Sequence, residues 1–383
     1  ASDETAKEIK MFNLGNFIAS RFKTLSDKFY ADNSKLAIKR SAWGTFFSIL
    51  GTSGYYGAYV FIVVKTISGV LSVGDLTFLA GSFRQLRTLS EGLLSRLTSI
   101  SQGAIYLNDF IDFFAIHSQI KKTEKPVAFP NPIKEGFQFE NVGFKYRNSE
   151  KWANRHLNFT LLPGETLALV GENGAGKTTL VKLLARLYEP SEGKILLDGI
   201  DLKEYDPEEL RLNIGVIFQD YLRYQMTLSN NIAVGNIQEK ENEQLIKSAA
   251  AGSMADILAA KLPNKFDQAL GKRFNNGVEL SGGEWQKVAL ARIYMKESQV
   301  LILDEPTAAL DARAEYEVFQ RFSKITEKKS AVLISHRFST ARLADRILVL
   351  ESGQILEMGT HEELLSLKGR YNELFQLQAR GYK

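Results

Sequence analysis

Gly171-Glu-Asn-Gly-Ala-Gly-Lys-Thr-Thr179 decides how this chain folds. Gly171, Gly176, Lys177 and Thr178 fit the phosphate-cradling pattern G-x-x-x-x-G-K-[ST], with Glu172, Asn173, Gly174, Ala175 and Thr179 completing the candidate cradle. Glycines let the backbone curl so that successive N–H groups aim at one anion. Lys177 can place an ammonium on the outer phosphates, and the Thr178 hydroxyl can ligate a magnesium ion. The flanks agree. Thr166-Leu-Ala-Leu-Val170 reads as a buried strand, and Leu180, Leu183, Leu184 and Leu187 recur at helical spacing after the loop. A phosphate would then sit at a helix N-terminus, where the dipole favours it.

Working outward, Val300-Leu-Ile-Leu303 is an apolar strand that ends in Asp304-Glu305. Side chains alternate along a strand, which predicts Asp304 on the metal side, Glu305 turned elsewhere and available to the attacking water. Between these two stretches lies Leu280-Ser-Gly-Gly-Glu284, followed by a helical pattern from Trp285 to Tyr294. Ser281, Gly282 and Gly283 expose consecutive N–H groups at that helix start and make a second anion site. One terminal phosphate does not need two cradles from one chain, so this site is expected to face the nucleotide of another subunit.

In this order the motifs resemble the ATP-binding-cassette (ABC) transporter family from Phe137 to Lys383. Gly171–Thr178 is similar to its Walker A, Val300–Glu305 to its Walker B and Leu280–Glu284 to its signature. The resemblance implies an α/β P-loop ATPase that takes ATP and Mg2+. It implies that Gln219, after the strand Ile214–Phe218, is the Q-loop residue that senses the γ-phosphate and reaches the metal. Asp311 would belong to the D-loop, His336 would be the switch histidine on the γ-phosphate, and Tyr146 would stack on adenine. The expected catalytic set is Glu305, His336, Gln219 and Lys177, with Thr178, Gln219 and Asp304 around the metal. The family often has a Gly-Glu-x-Gly run before the signature. This chain has Gly271-Lys-Arg-Phe-Asn-Asn-Gly277 instead. His117, His156 and His361 read as packing residues.

The first part reads differently. Phe12, Phe17, Ile18, Phe22, Leu25 and Phe29 form the apolar stripe of an amphipathic helix. Trp43–Val64 then runs without a formal charge, and about 22 residues span roughly 33 Å, enough to cross a bilayer. Lys35, Lys39 and Arg40 place its N-terminal end in the cytoplasm, and Gly51, Gly54 and Gly57 would permit close helix contact. Asp75–Phe114 is a second long helix, carrying Arg84, Arg87, Glu91 and Arg96, which suit an aqueous path or an extension beyond the membrane. Pro126, Pro130 and Pro132 break the chain before a new domain begins.

The expected plan is an α-helical membrane segment followed by the ATPase: residues 1–125 a partial transmembrane domain, 126–136 a linker, and 137–383 the nucleotide-binding domain. It resembles the C-terminal portion of an exporter-type half-transporter with its last two membrane helices, so the chain reads as a fragment, the alternative being that another polypeptide supplies the first four helices. The expected function is ATP hydrolysis driving export, in a homodimer spanning the cell (inner) membrane with the ATPase in the cytoplasm. Alternatives are a soluble ABC ATPase or a non-hydrolysing regulatory subunit. A net charge of +4 over 383 residues gives no case for nucleic acid, and the lack of cysteine excludes disulfides and thiolate metal sites. The charged start Ala1–Lys10 is no secretory signal.

Overall fold

The computed structural model describes residues 3–116, 120–147, 149–274, 276–305, 317, 320–322, 326, 329–335 and 337–381. The chain divides into two compact units, Ala1–His117 and Ser118–Lys383.

The first unit is helical: α1 (Asp3–Met11), α2 (Gly15–Ile67) and α3 (Val73–Phe114). The amphipathic stretch and the uncharged stretch were expected as separate pieces. They form one continuous helix of 53 residues, about 80 Å long, because nothing between Gly15 and Ile67 breaks the hydrogen-bond ladder. Its Trp43–Val64 portion lies in the one helix, among the described residues, that is long and apolar enough to cross a membrane. Despite its 42 residues, α3 does not meet that test, because its charges interrupt every long apolar run. Ser72 caps α3 in a box with Asp75: the Asp75 N–H donates to the Ser72 hydroxyl, and the Ser72 N–H donates back to the Asp75 carboxylate at 3.0 Å. Arg87 ties α3 to α2, donating to Thr52 at 3.2 Å and to Glu91 of its own helix at 2.9 Å. A Cβ added at Gly51, Gly54 or Gly57 would meet no neighbouring atom within 4 Å, so these glycines do not make the α2–α3 contact.

The second unit carries two sheets. A four-stranded antiparallel sheet is built from β1 (Phe137–Lys145), β2 (Trp152–Leu161), β4 (Glu192–Leu197) and β5 (Ile200–Asp201), in the order β2-β1-β4-β5. The central six-stranded sheet has the order β10-β9-β3-β8-β7-β6, from β3 (Thr166–Val170), β6 (Ile214–Ile217), β7 (Val300–Asp304), β8 (Ser330–Ile334), β9 (Arg346–Glu351) and β10 (Gln354–Gly359). All its pairings are parallel except β9–β10. Leu167, Leu169, Val300, Ile302, Val332 and Leu348 are almost wholly buried between the sheets and α4 (Lys177–Leu184), as expected of parallel strands covered on both faces. The short α5 (Pro207–Leu212) leads into β6. A separate helical layer of α6 (Leu228–Ala233), α7 (Glu243–Ser253), α8 (Ala255–Lys261) and α9 (Gly282–Tyr294) packs around the buried Trp285.

Two local readings change. Helix α4 ends at Leu184, before Leu187, because Arg186 takes a left-handed backbone (φ 46°). The residues read as a linker pack against the second unit. Val127 donates its N–H to Glu204 at 2.9 Å, Phe129 and Ile133 are buried, and the Gln299 amide bridges Ile133 and Pro130.

Candidate active site

The site sits at the carboxyl ends of β3, β6 and β7, where an open α/β sheet places ligands. Strand β3 delivers the chain to the loop and α4 takes it away. Gly171 and Gly176 are fixed by close approach. A Cβ at Gly171 would lie 2.3 Å from the Leu350 carbonyl, and one at Gly176, where φ is +100°, 2.6 Å from that of Ala153. The resulting cleft of about 570 Å³ is lined by Tyr146, Ala153, Asn173, Gly174, Ala175, Gly176, Lys177, Thr178, Thr179, Gln219 and Glu305. That volume lies within the usual range of small-molecule sites.

The polar groups in and behind this cleft are arranged for a polyanion and a cation. Lys177 is buried and its ammonium donates to the carbonyls of Gly171 (2.7 Å) and Glu172 (3.0 Å). Burial lowers it from the usual lysine range, while the charges of Glu305 and Asp304 act in the opposite sense. Asp304, at the end of β7, lies behind Thr178 and accepts its hydroxyl at 2.9 Å. Burial raises the Asp304 carboxyl above the ordinary aspartate value. The Thr178 hydrogen bond opposes the rise and the charge on Glu305 adds to it. The second carboxylate oxygen of Asp304, Oδ1, is buried with no hydrogen-bond partner among the described residues.

A hydroxyl and a buried carboxylate with an open coordination position fit a hard divalent cation. Among the described residues no cluster of three or more His, Cys, Asp or Glu forms a self-sufficient metal cage.

Glu305 corrects the alternation argument. It lies just past the strand with φ +50°, so its side chain joins the cleft instead of turning to the opposite face. Its carboxylate accepts from Gln219 Nε2 at 2.8 Å, and its carbonyl accepts from Gln286 Nε2 at 3.3 Å. Gln286, on α9, went unnoticed in the sequence, as did Ala153. Neither residue type carries a chemical signature. Tyr146 stands at the cleft wall, edge-on to Phe144 and Tyr188, with its hydroxyl 3.1 Å from that of Thr179.

Gly171 and Glu172 belong to the outer side of the loop. Ser281, Gly282 and Gly283 do not line the cleft. Ser281 caps α9, and Glu284 closes the box by accepting the Ser281 N–H and hydroxyl, each at 2.8 Å. The hydrogen bond from the Ser281 backbone holds Glu284 below the usual carboxylate range. Asp311, His336 and His117 lie outside the described residues. His156 and His361 are engaged in local pairs, with Asn141 (2.9 Å) and the Tyr371 hydroxyl (2.7 Å) respectively.

Residues 154–308 match the family profile described as ABC transporter, and that range holds the loop, the signature segment and β7. Over residues 154–308 the chain belongs to the ABC transporter family. It is 35% identical over 377 residues to the subtilin transport ATP-binding protein SpaT of Bacillus subtilis, covering 97% of this chain and 60% of that protein. It is 33% identical, also over 377 residues, to an ATP-dependent lipid A-core flippase of Methylobacillus flagellatus, covering 97% and 61%. A solved structure of a bacterial Atm1-family ABC exporter with ATP bound superposes with a TM-score of 0.87 at 30% identity, over 98% of this chain and 64% of that one. The chain thus spans about three fifths of the length of the curated relatives it matches.

Proposed function

We propose that this chain is the ATP-hydrolysing part of an export transporter. The observation that carries the reading is the single cleft that brings the Lys177 ammonium, Thr178 in contact with Asp304, the Glu305–Gln219 pair and Tyr146 together. ATP enters with its adenine against Tyr146 and its phosphates on Gly174–Thr179. Lys177 exchanges the Gly171 and Glu172 carbonyls for phosphate oxygens. Thr178 and Asp304 would hold Mg2+, which when bound supplies charge neutralisation on the phosphate oxygens. Glu305 orients the attacking water and accepts its proton, and Gln219 holds the Glu305 carboxylate in place. Positioning and charge stabilisation then supply most of the acceleration, as in phosphoryl transfer generally. His336 on the γ-phosphate and Asp311 at the dimer seam keep the roles that the resemblance implies.

Ser281–Gly283 stand apart from the cleft of their own chain, which supports a head-to-tail dimer in which each signature segment completes its partner's site. The α2 segment supports a membrane location, and the exporter-type plan, in which α3 returns the chain across the membrane, puts the ATPase on the cytoplasmic side. Relatives of similar identity are named for subtilin and for lipid A-core, so the shared region does not select one cargo.

The test is Glu305→Gln and Lys177→Ala in the full-length transporter. Glu305→Gln should retain ATP binding and lose at least about a hundredfold in turnover, the scale of a general base. Turnover near wild type would remove Glu305 from its role. Unchanged ATP binding in Lys177→Ala would remove the nucleotide reading.

A further inference from the structure

The phosphate loop has two sides. One faces the cleft, and the other is backed by the C-terminal helix Arg370–Gly381. The first residue of that helix, Arg370, has a side chain only 23% exposed and reaches three carboxylates. Glu172 of the phosphate loop lies at 2.5 Å, Glu373 of its own helix at 2.6 Å and Glu351 of β9 at 3.3 Å. The helix start is itself fixed. Glu357 of β10 accepts the backbone N–H groups of Arg370 (2.6 Å) and Tyr371 (2.9 Å). Tyr371 is fully buried against Phe338 and Phe375. Farther along, the Gln378 side chain accepts the N–H of Phe338 at 2.8 Å, so the same helix is also tied to Phe338.

Glu172 connects this brace to the cleft. Its side chain goes outward to Arg370, while its carbonyl accepts the Lys177 ammonium at 3.0 Å and the Ala175 N–H at 3.2 Å. The backbone position of Glu172 therefore helps to set both the lysine and the curl of the loop. The carboxylate, if released, would add a negative charge beside a site built for a triphosphate.

We propose that Arg370 is a positioning residue for nucleotide binding: it holds the Glu172 carboxylate on the outer side of the phosphate loop and thereby keeps the cradle shaped and electrostatically open to anions. The role rests on the nucleotide reading of the cleft. The pair is partly exposed, so its effect is modest and sensitive to salt.

The test is equilibrium ATP binding by the full-length chain, with wild type, Arg370→Ala and Arg370→Lys measured together. The Arg370→Ala step is then repeated in a Glu172→Gln background. Arg370→Ala should weaken ATP binding about three- to fivefold at low salt, the scale of a partly exposed ion pair. Arg370→Lys, which keeps the charge, should recover binding to within about twofold. In the Glu172→Gln background the Arg370→Ala penalty should disappear, because the charge it leaves exposed is gone. A penalty of equal size in both backgrounds would show a merely structural role and overturn the proposal, as would no penalty at all. Wild-type protein that fails to bind ATP would overturn the nucleotide reading itself. Wild-type binding without an Arg370 effect would overturn the brace alone.

Discussion

Asp304→Asn is expected to stabilise the empty protein and to abolish its response to magnesium nucleotide. Asp304 is 1% exposed. One of its oxygens accepts the Thr178 hydroxyl and the other is buried without a partner among the described residues. Burial raises its carboxyl, and the charges on Glu305 and Asp220 push in the same direction. Asparagine is nearly isosteric, keeps an acceptor for Thr178 and removes the charge. An unpaired buried group costs about 1–3 kcal/mol, with charged groups at the high end, so the exchange should gain about 1–2 kcal/mol in the empty state. For a domain of this size each kcal/mol moves Tm by about 2–4 °C, which predicts a rise of about 2–8 °C. Ligand reverses the ranking. At a hundredfold excess over Kd, nucleotide adds about 2.7 kcal/mol to wild type, and the variant should gain no more from MgATP than from ATP with chelator.

The assay is thermal unfolding of both proteins, with and without MgATP, at several pH values. The folded-state pKa of Asp304 is raised above its unfolded value. The stability this group contributes is therefore fully present below the unfolded value and is lost as pH rises through the folded one. The advantage of the variant should accordingly shrink as the pH falls from neutrality toward the ordinary aspartate range. A lower Tm for empty Asp304→Asn would show that its carboxylate is stabilised by its surroundings. A full magnesium-dependent shift in the variant would remove it from the metal site.

Gly176→Ala places a Cβ 2.4 Å from the Asn154 amide and 2.6 Å from the Ala153 carbonyl, at a φ of +100°. A left-handed alanine alone costs about 1–2 kcal/mol. Tm should fall by at least about 4 °C and ATP binding should be lost, whereas unchanged unfolding and affinity would contradict the close approach. A head-to-tail dimer makes a second, sharper case. Ser281→Ala and Lys177→Ala should each be inactive alone, but co-assembled chains should recover about a quarter of wild-type turnover, since half the dimers hold one intact composite site. No recovery in demonstrated mixed dimers would place both cradles in one chain.

The residues that could be read in advance are those whose chemistry and spacing are local. Thr166–Val170 is β3 to the residue, and Val300–Asp304 is β7, because short apolar runs bounded by a glycine loop or by acids have few other solutions. Trp285–Tyr294 lies within α9, whose true start at Gly282 follows from the Ser281–Glu284 capping box present in the sequence. Contacts made at long separation were not legible. Arg370 and Glu172 are 198 positions apart, and Gln219 and Glu305 are 86 apart. No periodicity encodes either pairing. Backbone reversals at ordinary residues were equally hidden: Arg186 ends α4 and Glu305 turns back into the cleft, although neither type favours a left-handed conformation. The proline-rich stretch correctly marked a break in helix, but proline content alone does not distinguish a free tether from an extended segment pinned by Gln299 and Glu204.

The unfavourable features of the empty site share one direction. Lys177 is buried with carbonyls as its hydrogen-bond acceptors, Asp304 is buried with one oxygen unpartnered among the described residues, and Glu305 is held in a left-handed backbone of a kind that costs about 1–3 kcal/mol. Burial lowers the lysine and raises the aspartate, so the surroundings favour the neutral form of each. A triphosphate beside Lys177 favours its charged form, and a divalent cation beside Asp304 does the same for the carboxylate. In the proposed reading, binding energy would be drawn from relieving two desolvated groups that the fold already holds in position. The same reasoning explains why Glu305 is fastened twice, by Gln219 at its carboxylate and by Gln286 at its carbonyl. Gln219 follows β6 and Gln286 belongs to α9, the helix that Ser281 caps. A displacement of α9 when the signature segment engages a second chain would thus be felt at the Glu305 backbone. In the proposed dimer, closure and water activation would then be coupled through one residue whose left-handed conformation leaves it little freedom to absorb the movement elsewhere.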